Sequence, residues 1–204
     1  MNVFRTFTFI LLLAAGGNLF AGAAPVDKLK ATVEGALDVL YSEAYQDLSE
    51  AARQVKVREL IEENYDLSVL IRRAMGRNWR LLDAGEQEQV LDLVKRLIIK
   101  AYFEGLEGRA RPQVSFGSTV EVTNNRIEIP STIQADGNEY HLLYRLGRME
   151  SGWQIYDIVA EGISIVSNYR QQFDDHFRRG TAADLISKLE DLLAQPELNE
   201  DFKL

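Results

Sequence analysis

The sequence predicts an α+β domain: helices come first, an antiparallel sheet follows, and two helices close the chain. Three observations carry that expectation. Apolar residues recur every three or four positions between Asp27 and Leu106, the period of one helical face. From Pro112 the grammar changes to short β-branched and aromatic runs, separated by Asn124-Asn125 and Asp136-Gly137, pairs that tolerate positive φ and so suit tight hairpins. Beyond Gly162 the helical period returns, with Val166, Tyr169, Phe173 and Phe177 on one face. Hairpins imply antiparallel neighbours, and helices segregated from strands along the chain make the α+β pattern.

Taken in order, Met1 to Ala23 reads as a secretory leader. It has one early cation, Arg5, an apolar core from Phe7 to Ala15, and Ala21-Gly22-Ala23 as a small-residue cleavage site near Ala23. That core is shorter than the ~20 residues a membrane span needs. A first helix is expected from Asp27 to about Gln46, with Leu29, Val33, Ala36, Leu37, Leu40, Tyr41 and Ala44 as its stripe. A second starts near Ser49. Asp66 suits the N-cap of a third, which Gly76 ends. Asp83 with Glu86 makes a capping box for a fourth, reaching about Leu106. The second half of that helix is apolar most of the way round and must be covered on more than one side.

Strands are expected over Pro112–Ser118, Val120–Thr123, Arg126–Gln134, Asn138–Leu146 and Trp153–Val159. The last is bulky throughout, as in a strand buried on both faces, and Gly162 is expected to pass it directly into a helix. In that arrangement Glu161 would sit before the helix start, where the helix dipole favours an acid. A final helix starts at Thr181 after Gly180. Without a Pro/Gly/Ser-rich linker, 24–195 is one domain and 196–204 a polar, frayed tail.

A net charge of −8 argues against nucleic acid, which needs a concentrated basic surface, and against passive adhesion to anionic membranes. The chain has no cysteine, so its fold does not depend on redox state. It has two histidines, no acidic spacing suited to a metal, and no glycine-rich phosphate loop.

The run Trp153–Arg170, WQIYDIVAEGISIVSNYR, together with NYDLSVLIRRAMGRNWR upstream, resembles the MlaC or toluene-tolerance family of periplasmic phospholipid-binding proteins. Members of that family carry a W-x-x-Y-D-x-x-x-E-G-(V/I)-S signature, which falls here on Trp153, Tyr156, Asp157, Glu161, Gly162, Ile163 and Ser164. The likeness runs from about Leu29 to Leu193. Leu91 and Val94 stand where members often carry phenylalanine. The resemblance implies a nuclear-transport-factor-like cone with extra helices, wrapped around a curved antiparallel sheet and enclosing an apolar cavity. It implies a monomer that carries phospholipid as cargo, with no other cofactor. Its implied partners are an inner-membrane ABC transporter complex with an MCE-domain protein, and an outer-membrane lipoprotein–porin complex.

On that reading the lining would come from Leu97, Tyr102, Phe103 and Leu106 on the long helix. The sheet would add Val114, Phe116, Ile127, Ile129, Leu142, Tyr144, Ile155 and Ile158, and the stretch after the turn Ile163, Ile165, Val166 and Tyr169. Each of these letters suits a solid core equally well. Arg72, Arg73, Arg77 and Arg80 lie in a stretch, 67–82, without an acidic residue, and would serve a partner or a lipid headgroup; the last three share a face only if the helix continues past Gly76. The alternative is an enzyme of the cone fold with Asp157 as acid or base near Tyr140, Tyr144 and Tyr156. A further alternative is an adaptor with a filled core.

Overall fold

The computed structural model describes residues 24–106 and 108–198; the leader expected over 1–23 and the end of the expected tail lie outside the described residues. Helix α1 (Pro25–Tyr41) carries Pro25 in its first turn, where a missing N–H costs nothing. It stops short of Gln46 because Ser42 turns extended, and the Ser42 hydroxyl accepts from Ala44 N–H to start a 3₁₀ turn, Glu43–Tyr45. Helix α2 (Glu50–Asn64) is capped by Ser49, and α3 (Leu67–Met75) by Asp66. Gly76, at φ 56°, ends α3 and leads into a 3₁₀ segment, Gly76–Leu81. Before α4 (Ala84–Leu106), Asp83 and Glu86 cap each other reciprocally at 2.8 and 2.9 Å, as the capping box requires.

The caps carry a pH dependence. Burial works to raise the Asp66 carboxyl, but hydrogen bonds from the Ser68 side chain and backbone, with Lys95 and Arg72 nearby, bring it below its ordinary value. A depressed carboxylate contributes stability that is fully present above the unfolded value near pH 4 and lost as pH falls through the folded value. The melting temperature is therefore expected to drop between pH 5 and pH 3. An Asp66→Asn variant should show a shallower drop, measured by circular dichroism.

The sheet comprises β1 (Gln113–Phe116), β2 (Val120–Thr123), β3 (Arg126–Ala135), β4 (Asn138–Met149), β5 (Gly152–Ala160) and β6 (Ile163–Ser164). All neighbours are antiparallel, in the order β1-β3-β4-β5-β6, with β2 paired to the first part of β3 and β1 to the last. Asp136 and Gly137 take φ of 51° and 76°, the primed-turn geometry that matches strand twist. Glu161 and Gly162 do the same at 48° and 81°. This corrects one expectation: β5 turns back through a second tight hairpin into the two residues of β6 before α5 (Ile165–His176) begins. Glu161 is accordingly a turn residue whose carboxylate accepts the His141 N–H, and not a helix-dipole partner.

The register sorts the side chains. Residues directly opposite each other share a face, so Val114, Phe116, Ile127, Ile129, Ser131, Leu142, Tyr144, Leu146, Ile155 and Ile158 line one side of the sheet. A bulge between Arg145 and Leu146 keeps Ile155 and Ile158 on that side together. This inner face packs against Val26, Leu29 and Val33 of α1 and against Tyr65. A second core joins α3, α4, α5 and α6 (Ala182–Ala194) through Ile71, Met75, Val90, Phe173, Leu185 and Leu189. A third, smaller core joins α1, α2 and α4 through Val39, Val57, Ile99 and Phe103. Helix α4 thus has neighbours on several sides, which is what its all-round apolar second half demands.

Candidate functional site

The inner face of the sheet is an apolar surface against which α1 packs. Ile129 and Leu146 have no exposure at all, and Leu29 of α1 only 1%. These side chains fill the gap between α1 and the sheet. Two phenol hydroxyls, those of Tyr65 against this surface and Tyr102 on α4, are buried and have no hydrogen-bond partner among the described residues. Each carries a burial cost of about 1–3 kcal/mol that a partner would relieve.

Local structure explains why they sit there. Tyr65 follows the end of α2 in extended conformation; the next residue, Asp66, is pinned by its N–H to the buried Gln154 side chain at 2.8 Å, and the Lys28 ammonium stands 4.7 Å over the Tyr65 ring. Ser131 follows Ile127 and Ile129 at the two-residue period of β3, so the alternation delivers it to the inner face. Tyr102 lies on α4, edge-on to Phe103. Tyr144 lies close enough to raise the phenols of Tyr65 and Tyr102 by charge proximity, and a hydrogen bond with the Ser131 side chain partly restrains its own rise. Desolvation is the main cause of the upward shift in all three tyrosines. They remain neutral donors across the physiological range.

At the far end, α1 is tied down. Arg111 bridges Asp38 at 2.6 Å and Glu34 at 2.9 Å, and the Tyr41 hydroxyl donates to the Leu106 carbonyl at 3.1 Å. Arg109 reaches Asp136 on the β3–β4 turn at 3.5 Å. A recess of about 380 Å³ lies here, lined by Arg111, Gln113, Gln134, Asp136, Asn138 and Glu139 among others, too polar for hydrocarbon. A smaller one of about 120 Å³ opens between α1, α2 and α4, with Leu40, Phe103 and Leu106 in its wall.

The sequence candidates divide accordingly. Val114, Phe116, Ile127, Ile129, Leu142, Tyr144, Ile155 and Ile158 come together on the inner face, whereas Tyr102 and Phe103 pack in the third core with Val39, Val57 and Ile99. Leu97, Val166 and Tyr169 pack instead in the helical core. Ile163 and Ile165 are 63% and 37% exposed, because the Glu161-Gly162 turn reverses the chain before α5. Leu29, Val33, Tyr65, Ser131 and Leu146 belong to the inner face although they were not among the candidates. The alternation of β3 and β4 points to Ser131 and Leu146, whereas nothing in the sequence indicates that α1 lies across the sheet.

The arginines do not share one helical face, since α3 ends at Gly76. Arg72 stacks over Trp79, Arg73 over Tyr156, and Arg77 lies 3.5 Å from Asp174. Arg80 is exposed and unpaired among the described residues. Asp157 lies on the outer face. Its buried carboxylate pairs with Arg145 at 3.1 Å and accepts from Ser164 Oγ at 2.8 Å and Val166 N–H at 3.3 Å, while Arg145 also holds Glu128 at 2.9 Å. Asp157 therefore anchors the start of α5. Among the described residues no group of three or more His, Asp or Glu side chains is placed to hold a metal, and no helix is long and apolar enough to cross a membrane.

Comparison with known proteins matches this arrangement. The MlaC protein of Haemophilus influenzae, an intermembrane phospholipid transport system binding protein, is 26% identical over 129 residues, 61% of this chain. The match spans only 60% of that relative's length. A phospholipid-binding protein from Ralstonia solanacearum, solved in complex with a phospholipid, superposes with a TM-score of 0.71 at 25% identity, covering 85% of this chain and all of that one. The family model described as MlaC protein matches residues 30–191, a span that runs from α1 through the whole sheet into α6, so the chain belongs to the MlaC family.

Proposed function

We propose that this chain is a periplasmic phospholipid carrier, exported by cleavage near Ala23, whose single domain over 24–195 shelters acyl chains between α1 and the inner face of the sheet. The observation that carries the reading is this face itself: a continuous aliphatic and aromatic surface, closed by one helix, in a fold that the Ralstonia protein uses with phospholipid bound. Transfer of hydrocarbon from water is worth ~0.8 kcal/mol per methylene, so two chains of roughly fifteen methylenes represent ~24 kcal/mol. Free lipid does not cross water usefully, and a carrier must offer an interior nearly as good as a bilayer. Because side chains fill the gap here, loading requires α1 to part from the sheet.

The carrier would move lipid between an inner-membrane ABC transporter complex with an MCE-domain protein and an outer-membrane lipoprotein–porin complex, maintaining outer-membrane asymmetry. Native mass spectrometry of protein purified without added lipid tests the reading. Co-purifying phospholipid is expected, and a protein that is empty and fails to take up fluorescent phospholipid from vesicles would overturn it. The enzyme alternative loses its main support, since Asp157 is held by Arg145, Ser164 and Val166 on the outer face.

Two variants probe the parts. If α1 is the moving element, Arg111→Ala removes its tie to Glu34 and Asp38; half-exposed pairs are worth about 0.2–1 kcal/mol each, so lipid exchange should quicken roughly two- to thirtyfold. A stopped-flow measurement of release to vesicles reads this directly, and an unchanged rate argues for another route. If Arg77 and Arg80 meet a partner, changing both to Glu should slow transfer to the membrane complexes severalfold with lipid binding intact. Equal transfer would leave them as solvated surface.

A further inference from the structure

The stretches 64–80 and 153–170 meet at a place that the carrier reading leaves unused. Arg73 comes from the first and Tyr156 from the second, and the Arg73 guanidinium lies 4.6 Å over the Tyr156 ring. Arg126, at the start of β3, stands 5.9 Å over the same ring. The register places it there: Arg126 lies opposite Gly147 on the outer face, and a Cβ on Gly147 would meet the Tyr156 ring at 3.4 Å. Arg170 of α5 completes the group. Its Nε donates to the Arg73 carbonyl at 3.2 Å, in the last turn of α3, where a cation suits the negative end of the helix dipole.

These three arginines differ from others in the chain in having no carboxylate. Acidic residues outnumber basic ones 31 to 23, and Arg58, Arg109, Arg111 and Arg145 each pair with an acid. Arg73, Arg126 and Arg170 have no ion-pair partner among the described residues. The acids beside them in sequence are already held. Glu128, two residues along β3 on the same face, is bound by Arg145 at 2.9 Å; Asp174, four residues along α5, accepts from Asn78 at 2.7 Å and lies 3.5 Å from Arg77. Like charges gathered without a counter-charge repel one another, and an anionic ligand removes that cost.

We propose that Arg73, Arg126 and Arg170, grouped around Tyr156, form a docking site for a short acidic segment of a partner protein, whose Asp or Glu side chains are received by the guanidinium forks. Two features select that occupant. Arg73 and Arg126 are exposed, so nothing encloses a single small ion, whereas a segment with several carboxylates engages several forks at once and gains from their being linked. An anionic bilayer would meet a chain of net charge −8, whose remaining surface opposes the attraction of three cations. The site lies across the sheet from the inner apolar face and is separate from Arg77 and Arg80, so it stands or falls apart from lipid carriage.

The test titrates the mature protein with an acetylated, amidated hexaglutamate peptide and, separately, with inorganic phosphate, following the arginine Nε–Hε signals by NMR; co-sedimentation with phosphatidylglycerol vesicles is the third arm. The peptide is expected to move the Arg73, Arg126 and Arg170 signals saturably, with affinity falling severalfold as sodium chloride rises from about 50 to about 500 mM. In the Arg73→Glu/Arg126→Glu double variant the peptide should bind at least about tenfold more weakly, while uptake of fluorescent phospholipid stays as in the wild type. No shift with the peptide in the wild type overturns the proposal before any variant is made. Phosphate binding as tight as the peptide at the same signals also overturns it, in favour of a small-ion site. Vesicle binding that charge reversal abolishes overturns it in favour of a membrane contact, and peptide binding that survives charge reversal overturns it outright. A wild type that takes up no lipid leaves the titration readable and counts against the carrier reading alone.

Discussion

Replacing Phe173 with alanine is expected to lower the unfolding free energy by about 3–5 kcal/mol, which for a domain of this size is a fall in melting temperature of roughly 6–20 °C. Phe173 is 2% exposed and sits where α5 meets the other helices, in the cluster with Met75, Val90 and Leu185. Truncation leaves a hole that those rigid helices close only in part, so the cavity term adds to the lost transfer energy. This core is separate from the one on the inner face of the sheet. Lipid binding measured well below the melting temperature should therefore keep its affinity. A variant that melts normally would show that the helical core tolerates rearrangement; one that stays folded but loses lipid would place the lipid among these helices.

The second large effect is expected at Asp157. Removing a buried member of an ion pair strands the other charge, at about 3–5 kcal/mol in full burial. Arg145 is one-third exposed and keeps Glu128, which reduces the cost, while the bonds to Ser164 and Val166 that start α5 are lost in addition. Asp157→Ala should cost about 2–4 kcal/mol. Asp157→Asn keeps an acceptor for Val166 N–H and should cost less. Denaturant unfolding of the pair reads both. A catalytic base at this position would behave in the opposite way, with alanine and asparagine both leaving stability nearly unchanged, so the order wild type, asparagine, alanine is the discriminating result.

What the amino-acid order determined by itself was everything that depends on neighbours along the chain. The caps at Ser49, Asp66, Asp83 and Thr181, the stop at Gly76 and the primed turn at Asp136-Gly137 follow from side chains meeting backbone within a few residues. The alternation along β3 and β4 likewise predicts that Ile127, Ile129, Leu142 and Tyr144 share one face, because the two-residue period holds wherever the strand is placed. The short-range signal failed at the end of α1, which stops at Tyr41 instead of near Gln46, and at Glu161-Gly162, where a glycine read as a helix approach is a hairpin turn that only the pairing of Ile163 and Ser164 with β5 reveals.

Tertiary structure alone decided which apolar stripes face each other. Leu97 and Val166 are aliphatic like Leu142, yet they went to the helical core with Tyr169, and Leu29 and Val33 of α1 went to the sheet. The burial of the Tyr65 and Tyr102 hydroxyls without a hydrogen-bond partner among the described residues was equally illegible. The reason is that burial is non-directional: an oily surface lowers its free energy against any other of fitting shape, and the choice among them is made by the whole chain packing at once.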